Sequence, residues 1–426
     1  MSDQGEMPEM PKSPMPAEVS QFRISKDPVL TRRFLKFFPS VANAPGAHNL
    51  AQRYFFFQAR NAIYHGLRAL RLSPGDEVLL PSYLCAAAIE PVLALRAKVE
   101  FYRIDRNCQP DFNDIERRIR PETRVVLAVH YFGYPCDIAN FREFCDKRGL
   151  LLVEDCAHVF QDEVQGKPLG SYGDISVFSW RKFLPLYDGG ELVLNVPREL
   201  SVTWAKEGTL STVRAAKHLV EQSASYTDSG SLRALVSSLE LAKSGWDRLR
   251  RKKTKTAPKP CTDFVGVEFD QSLVDLPMSR ISRWVFRRSD VSAIVAKRRE
   301  NYAFLMRELS SISGIRMMFP DLGAHHCPWV FPLVFEGIED AHLTLRARGI
   351  PAVTWGGVRH PSVPSGEFPE AEFLYKNLVM LPVHQNLSEA DLHAIVQESR
   401  LICRSYGSTA VGNQASAPCP TGDEKR

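Results

Sequence analysis

Between about residue 50 and residue 195, two patterns of apolar and polar residues follow each other along the chain. Short apolar runs are separated by stretches in which apolar residues recur at helical spacing, as in residues 59–72, where Ile63, Leu67 and Leu70 share one face. Helices are predicted at 59–72, 86–95, 112–119 and 138–147, and strands at 78–81, 99–104, 125–130, 150–154, 175–178 and 191–195. Because strands that alternate with helices form mostly parallel sheets covered on both faces, the pattern predicts an α/β domain.

The alternation stops near residue 200. The stretch at about 200–258 has helical periodicity and ends in a basic run. We interpret the basic segment 246–259 as a solvated linker, with contact to an anionic membrane surface or a polyanion as the alternative. A long helix is predicted at 283–309, followed by a strand at 329–334 and a helix at 341–348. These elements indicate a smaller C-terminal α+β domain.

The two ends of the chain have the composition of disordered segments, with Pro, Met and acids at the N-terminus and Gly, Ser, Ala and Pro at the C-terminus. We therefore predict a tail at 1–20, a large domain at 21–275 with a basic helical insert at about 200–258, a small domain at 276–404 and a tail at 405–426. A chain of 426 residues fits two domains.

Composition narrows the function classes. The net charge of +5, from 54 basic and 49 acidic residues, is too small to indicate nucleic-acid binding. The nine cysteines are odd in number and none are spaced Cys-x-x-Cys, so neither a disulfide framework nor a zinc site is indicated. No signal peptide and no run of about 20 apolar residues is present. We expect a cytoplasmic protein with reduced thiols and no metal.

Two polar side chains come at the ends of predicted strands. Asp155 follows one apolar run, and Lys182 follows another and precedes the pair Gly189-Gly190. Ligands of parallel sheets bind at the carboxyl ends of the strands, so both residues fall on the functional edge. A pyridoxal phosphate site needs a lysine amine for the Schiff base and a carboxylate that keeps the pyridine nitrogen protonated. Ser179 is placed to bind the phosphate. Taken singly, Asp155 is better interpreted as a helix cap and Lys182 as a solvated side chain, and only the ordered set of motifs described below reverses that preference.

The segment 58–195 resembles the DegT/StrS-type sugar aminotransferases, a branch of the fold-type-I pyridoxal phosphate enzymes. The matching motifs come in the order found in that family: PGDEV at 74–78, PSY at 81–83, VHYFG at 129–133, EDCAH at 154–158 and GKPLGSYGD at 166–174. A weaker similarity extends through 382–385. The resemblance implies a mostly parallel central sheet and a smaller C-terminal α+β domain.

The resemblance also implies roles for individual residues. Lys182 would form the Schiff base and then carry the proton of the 1,3-shift, and Asp155 would pair with the pyridine nitrogen. His158, the third implied catalytic residue, would approach the ring hydroxyl, and Ala157 would pack beneath the ring. The phosphate would be bound by Ser179 together with the backbone at Arg60 and Asn61, at a helix start.

Four departures from the family pattern affect the cofactor site. Ala59-Arg60 stands where the family usually has Gly-Thr. Cys85 occupies the position of the usual stacking aromatic, with Tyr83 as the nearest substitute. The lysine follows Ser179 at the third position instead of the usual fifth. The Asn-Tyr-Arg segment that reaches the phosphate of the partner subunit is not evident before 277–280.

The function implied is transfer of an amino group from glutamate or glutamine to a keto sugar, preferentially a nucleotide-linked one, by a homodimer. Such a reaction belongs to polysaccharide, glycan or secondary-metabolite biosynthesis. Two alternatives stay open: a pyridoxal-phosphate-dependent sugar dehydratase or lyase, and a non-catalytic regulatory protein that retained the fold. Candidate sugar contacts are Trp355, Arg359 and His360.

Overall fold

A seven-stranded sheet forms the centre of the larger part of the molecule. The computed structural model describes residues 24–37, 52–206, 209–226, 269–355 and 359–414. In chain order the strands are β1 (Gln52–Phe56), β2 (Glu77–Pro81), β3 (Lys98–Tyr102), β4 (Thr123–Val129), β5 (Leu151–Cys156), β8 (Ile175–Ser179) and β9 (Gly190–Leu194). Their order in the sheet is β1-β9-β8-β5-β4-β2-β3. Strand β9 runs in the direction opposite to that of the other six strands, so the expected mostly parallel sheet is confirmed.

Helices connect and cover these strands: α1 (Ala59–Ala69), α2 (Ala86–Ala94), α3 (Phe112–Arg118) and α4 (Ile138–Arg148). Strands β2, β8 and β9 are buried along their whole length, because both faces of the sheet are covered. A two-stranded hairpin, β6 (Glu163–Val164) and β7 (Lys167–Pro168), interrupts the connection between β5 and β8. The helices and strands predicted from periodicity agree with these bounds to within three residues.

A second, smaller layer follows along the chain. It contains the antiparallel sheet of β10 (Ile315–Met317), β11 (Val330–Phe335) and β12 (Leu378–Pro382). The helices are α6 (Arg280–Arg288), α7 (Val291–Leu309), α8 (Ala341–Ala347), α9 (Pro369–Asn377) and α10 (Glu389–Gln414). Residues such as Leu305, Phe331 and Ile395 form a hydrophobic core separate from that of the large sheet.

The predicted single helix at 283–309 is wrong, because the structure contains two helices there. A new helix begins after Asp290, whose carboxylate accepts a hydrogen bond from the backbone N–H of Ala293 and so caps the N-terminus of α7. Ser289 before it is extended. Asp is among the best N-cap residues, so a new helix starts here even though helical periodicity continues through the break.

Three other expected segments differ or lie outside the described residues. Helix α10 runs to Gln414, although we expected a tail from 405; no proline interrupts the helix before Pro418. Of the basic insert, the structure describes residues 200–206 and α5 (Thr209–Tyr226). The basic run at 246–259 and the tail at 1–20 lie outside the described part of the chain. Within that part, no helix is both long and apolar enough to cross a membrane.

The glycine pair before β9 brings the start of α1 next to the lysine turn. Gly189 has φ +134, and its N–H donates to the carbonyl of Phe57 over 2.9 Å. A Cβ on Gly190 would lie only 2.2 Å from the carbonyl carbon of Gln58. Both glycines are thus needed by the backbone, one for its conformation and one for a close approach.

We expect Gly190→Ala to destabilise the protein by about 3 kcal/mol, since the new methyl group meets backbone atoms that cannot rotate away. Urea unfolding midpoints provide the measurement. Gly323→Ala is the matched control, because nothing lies within 4 Å of its added Cβ. Equal stability of the two variants would show that the start of α1 can move away from β9.

Candidate active site

A rigid turn carries Lys182. Strand β8 ends at Ser179, and a single 3-10 turn, Trp180–Lys182, follows. The indole of Trp180 is fully buried and donates to Glu191 Oε2 over 2.6 Å, while its backbone N–H donates to the carbonyl of Gly189 over 2.9 Å. The turn is therefore fastened to β9 at two points just before the lysine.

The amine of Lys182 lies in a buried, aromatic and charged environment. Its Nζ is 4.5 Å from the centroid of the Trp329 ring. Burial lowers the pKa of this amine to about 8, although the charges of Cys85 and Asp155 favour protonation; the charge of Arg181 acts with burial. At neutral pH a useful fraction of the amine is therefore uncharged and nucleophilic.

Asp155 lies near the end of β5 and is buried. Its Oδ1 accepts a hydrogen bond from the backbone N–H of Ala157 over 2.9 Å. Burial raises the pKa of this carboxyl, whereas the positive charge of Lys182 and the bond from Ala157 lower it. Among the described residues none donates to Oδ2, so this oxygen can receive a charged N–H from a ligand.

His158 is stacked between two aromatic rings. The centroid of the Trp329 ring is 4.1 Å from its own, and that of Phe132 is 5.8 Å away. Its Nδ1 accepts a hydrogen bond from the backbone N–H of Phe132 over 3.1 Å, so Nε2 carries the proton in the neutral ring. Burial, and then the charge of Lys182, lower the pKa of this imidazole well below its ordinary value.

The proton on His158 Nε2 has no acceptor within the described ranges, and the atom is buried. A buried polar group without a partner costs about 1–3 kcal/mol, so a ligand that accepts a hydrogen bond here would be favoured. A phenolic oxygen placed at this nitrogen would satisfy it.

The expected phosphate ligands divide into two groups. Ser179 is almost fully buried, and its hydroxyl has no hydrogen-bond partner in the described chain. Helix α1 starts after Gln58 without a side-chain cap, which leaves N–H groups open to an anion. By contrast, the Arg60 guanidinium pairs with Glu90 at 3.3 Å, and the Asn61 amide donates to the carbonyl of Leu273.

Cys85, rather than Tyr83, lies beside the lysine. Tyr83 is fully buried, donates to the carbonyl of Trp355 over 3.2 Å and packs edge-on against Trp355 and Tyr375. Cys85 precedes α2; burial raises the pKa of its thiol and the charge of Lys182 lowers it. Of these two residues, only Cys85 interacts electrostatically with the Lys182 amine.

The three candidate sugar contacts differ in position. The Trp355 ring meets that of His158 edge-on, with centroids 5.2 Å apart, and so belongs to the site. Arg359 pairs with Glu372 at 3.0 Å, and His360 Nδ1 accepts from the backbone N–H of Ser362. Residues 356–358 between them lie outside the described ranges.

Glu154, next to Asp155, has a structural role. Its carboxylate accepts from the backbone N–H groups of Gly170, Tyr172 and Gly173 over 2.6–3.0 Å. His130 completes the set, since its Nδ1 accepts from the N–H of Cys136 and its Nε2 therefore donates to Glu154 over 3.0 Å. With Cys156, this pair could in principle hold a metal, since their ligand atoms lie within 4.8 Å of one another, but hydrogen bonds already occupy the carboxylate.

Two residues of the site were missed in the sequence. Trp329 reaches the lysine from the segment that leads into β11, and Arg298 of α7 is fully buried and bonded to the backbone of the lysine turn. Arg298 falls within the helix predicted at 283–309, where helical spacing alone does not distinguish a buried arginine from an exposed one. Gln385, which Arg298 contacts, is inside the weakly similar segment 382–385, the one available signal.

These features together fit pyridoxal phosphate. Within the described chain, the site offers an amine with a lowered pKa, a carboxylate oxygen without a donor, a buried imidazole N–H without an acceptor, and a serine hydroxyl close to an uncapped helix start. They match, in that order, an aldehyde, a pyridine nitrogen, a ring hydroxyl and a phosphate.

Comparison with known proteins gives three consistent results. Residues 58–203 match the model of the DegT/DnrJ/EryC1/StrS aminotransferase family. GDP-perosamine synthase of Vibrio cholerae is 36% identical over 137 residues, which are 32% of this chain and 37% of that protein. A dTDP-4-dehydro-2,3,6-trideoxy-D-glucose 4-aminotransferase of Saccharopolyspora spinosa is 26% identical over 372 residues, 83% of this chain and 86% of that protein.

A solved structure shows the same fold over most of the molecule. The aminotransferase TlmJ of Streptoalloteichus hindustanus superposes with a TM-score of 0.58 at 22% identity, covering 84% of this chain and 87% of its own. The fold-type-I architecture is thereby confirmed. The alignment with GDP-perosamine synthase spans little more than a third of that protein, whereas the second relative is matched over most of its length.

The Lys182 amine should titrate near pH 8 in the cofactor-free protein. Competitive acetylation at a series of pH values, read by peptide mass spectrometry, measures this directly. The largely exposed Lys147 provides the reference in the same digest. Asp155→Asn should lower the midpoint further, because Asp155 favours the charged amine. A wild-type midpoint near 10.5 would mean that the amine is solvated.

Proposed function

We propose that this chain, whose residues 58–203 match the model of the DegT/DnrJ/EryC1/StrS aminotransferase family, is a pyridoxal-phosphate-dependent sugar aminotransferase. The observation that carries the proposal is the Lys182 amine, buried with a pKa of about 8 in the electrostatic reach of Asp155. The named relatives act on GDP- and dTDP-linked sugars, which supports a nucleotide-linked keto sugar as the amino acceptor. Glutamate or glutamine is the proposed donor.

Each polar group of the site has one task in binding the cofactor. When bound, pyridoxal phosphate supplies an aldehyde that condenses with amines and a ring that takes up an electron pair. Asp155 Oδ2 would accept a hydrogen bond from the N–H of the ring nitrogen, and His158 Nε2 would donate to the ring hydroxyl oxygen. Ser179 and the N–H groups at the start of α1 would bind the phosphate, while Arg60 would supply positive charge without leaving Glu90.

Lys182 carries the proton. A group with a pKa of about 8 both accepts and donates a proton readily at neutral pH, which is what moving a proton between two carbons of a substrate requires. The rings of Trp329 and Trp355 enclose the space near His158 and keep water from competing for that proton.

We further propose a homodimer that works in the cytoplasm. The seven described cysteines are all free thiols, which supports a reducing compartment. The partner-reaching Asn-Tyr-Arg segment is not evident in the sequence, so we propose that each subunit supplies its own phosphate ligands, Ser179 and the start of α1.

The alternatives are separated by products. A sugar dehydratase or lyase would consume the keto sugar without an amino donor. The sugar dehydratases that resemble this family lack the Schiff-base lysine, so the presence of Lys182 supports transamination instead. A regulatory protein that kept the fold would bind no cofactor, whereas the unpartnered Nε2 of His158 supports a ligand at this position.

Lys182→Ala should abolish the visible absorbance band of the reconstituted protein and reduce amino transfer to a keto sugar by about 10³-fold or more, because the proton carrier is gone. Absorbance spectra and donor-dependent turnover with a panel of GDP-, dTDP- and UDP-linked keto sugars measure both effects. Lys147→Ala, an exposed change on α4, is the control.

Two results would contradict the assignment. An unchanged absorbance band in Lys182→Ala would remove the lysine from its role. Turnover of keto sugar by the wild-type protein without glutamate or glutamine would favour the dehydratase, and failure to take up pyridoxal phosphate would favour the regulatory protein.

A further inference from the structure

Arg298 is a buried cation without an ion-pair partner in the described part of the chain. It lies on α7 with none of its surface exposed, and no carboxylate of the described residues is within ion-pair distance. Burial lowers the pKa of its guanidinium to about 10, so the group stays charged at neutral pH. Burying an unpaired charge is costly, and a protein retains such a group where its hydrogen bonds do something that a neutral residue cannot.

The guanidinium joins two backbone segments from different domains. Nη1 donates to the carbonyls of Pro328 and Trp329 over 3.2 and 3.0 Å, and Nη2 donates to those of Lys182 and Phe183 over 3.4 and 3.2 Å. One planar group therefore connects the lysine turn after β8 with the segment that leads into β11.

Gln385 completes the arrangement. Its Oε1 accepts from Arg298 Nε over 3.0 Å, and its Nε2 donates to the same Phe183 carbonyl over 3.0 Å. The guanidinium also lies over the Phe183 ring, 5.0 Å from its centroid. All five acceptors are neutral. Three nitrogens of one planar guanidinium donate to all of them, whereas the three donors of a lysine ammonium could serve only some of them.

The two segments that Arg298 joins carry the two side chains that meet in the site. The Lys182 Nζ is 4.5 Å from the Trp329 ring centroid, although the lysine belongs to the large domain and the tryptophan to the small one. Since their carbonyls are bonded to the same guanidinium, the separation of the amine and the ring depends on Arg298.

We propose that Arg298 is a positioning residue for Lys182: by holding the lysine turn against the Trp329 segment, it keeps the amine in its buried place on the face of the Trp329 ring. The proposal deepens the proposed function, because the buried amine is the nucleophile and proton carrier of that reaction. Arg298 itself reaches neither the amine nor the place of a substrate; its bonds end on backbone carbonyls.

The titratable groups within electrostatic reach of the Lys182 amine are on elements other than α7. They are Asp155 on β5, His158 just after it, Cys85 before α2, and Arg181 in the turn. Replacing Arg298 leaves these groups in place but also removes a positive charge bonded to the lysine turn, and that loss alone would raise the pKa of Lys182. The charge-neutral change Gln385→Met therefore separates an effect on the position and burial of the amine from an effect of the lost charge.

The decisive experiment uses Arg298→Gln in the full-length, cofactor-free protein, after circular dichroism has shown it to be folded. Competitive acetylation should place the Lys182 midpoint at least one pH unit above the wild-type value, toward the ordinary 10.5, because the turn and the Trp329 segment separate and water reaches the amine. In the reconstituted enzyme we expect kcat to fall about 10- to 100-fold with the donor KM changed less than about threefold, since donor binding is retained.

The adjacent Arg299→Gln is the matched control. Arg299 is on the same helix and bonds the carbonyls of Gly323 and His326, but not the lysine turn. Its variant should keep the wild-type Lys182 titration. An equal shift in both variants would mean that any loss of an arginine from α7 loosens the site, and would overturn the proposal.

A second variant keeps the test decisive if Arg298→Gln does not fold. Gln385→Met has a similar volume and removes one of the two donors to the Phe183 carbonyl. It should shift the Lys182 midpoint in the same direction by a smaller amount. An unchanged midpoint in the folded Arg298 variant, or in the Gln385 variant when only that one folds, would refute the role. Because the titration needs no cofactor, it stands even if the protein fails to bind pyridoxal phosphate.

Discussion

The buried Lys182 amine, held in the field of a buried carboxylate, is the constraint on which the site depends. Lowering an amine pKa from 10.5 to about 8 corresponds to an unfavourable contribution of at most about 3 kcal/mol at neutral pH, when the amine is charged. The cost decreases as the pH rises through 8 and is absent above 10.5, because the amine is then neutral in both folded and unfolded chains. The fastening of the lysine turn through Trp180 and Glu191 offsets this cost.

Two hydrogen-bonding atoms near that amine are available to the same ligand. His158 presents an N–H and Asp155 an oxygen, and neither atom has a partner among the described residues, because the other polar atom of each side chain is bonded to a backbone group. The backbone thus sets the tautomer of His158 and leaves the second carboxylate oxygen of Asp155 available before any ligand arrives. Preorganisation of this kind lets a cofactor bind without reorganising buried polar groups.

Much of the fold and the centre of the site follow from the sequence, because both rest on local patterns. The alternation of strands and helices predicts the parallel sheet, and strand ends bring Asp155 and Lys182 to one edge of it. Long-range packing is what the pattern does not contain. Helical spacing is the same whether an arginine faces water or the protein, so Arg298 reads as exposed. The rings of Trp329 and Tyr83 likewise find their neighbours through contacts between domains. The phosphate ligands Arg60 and Asn61 and the domain boundaries stay predictions.

The neutral hydrogen-bond acceptors of Arg298 add no negative charge near the Lys182 amine. A carboxylate paired with this arginine would lie close to the lysine turn, and a negative charge there would favour the protonated amine and raise its pKa. Backbone carbonyls and the amide of Gln385 bind the guanidinium without adding such a charge. Asp155 then remains a negative group that can pair with a ligand as well as with the lysine. A site that needs one neutral amine and one charged carboxylate is best fastened by a cation whose partners carry no charge.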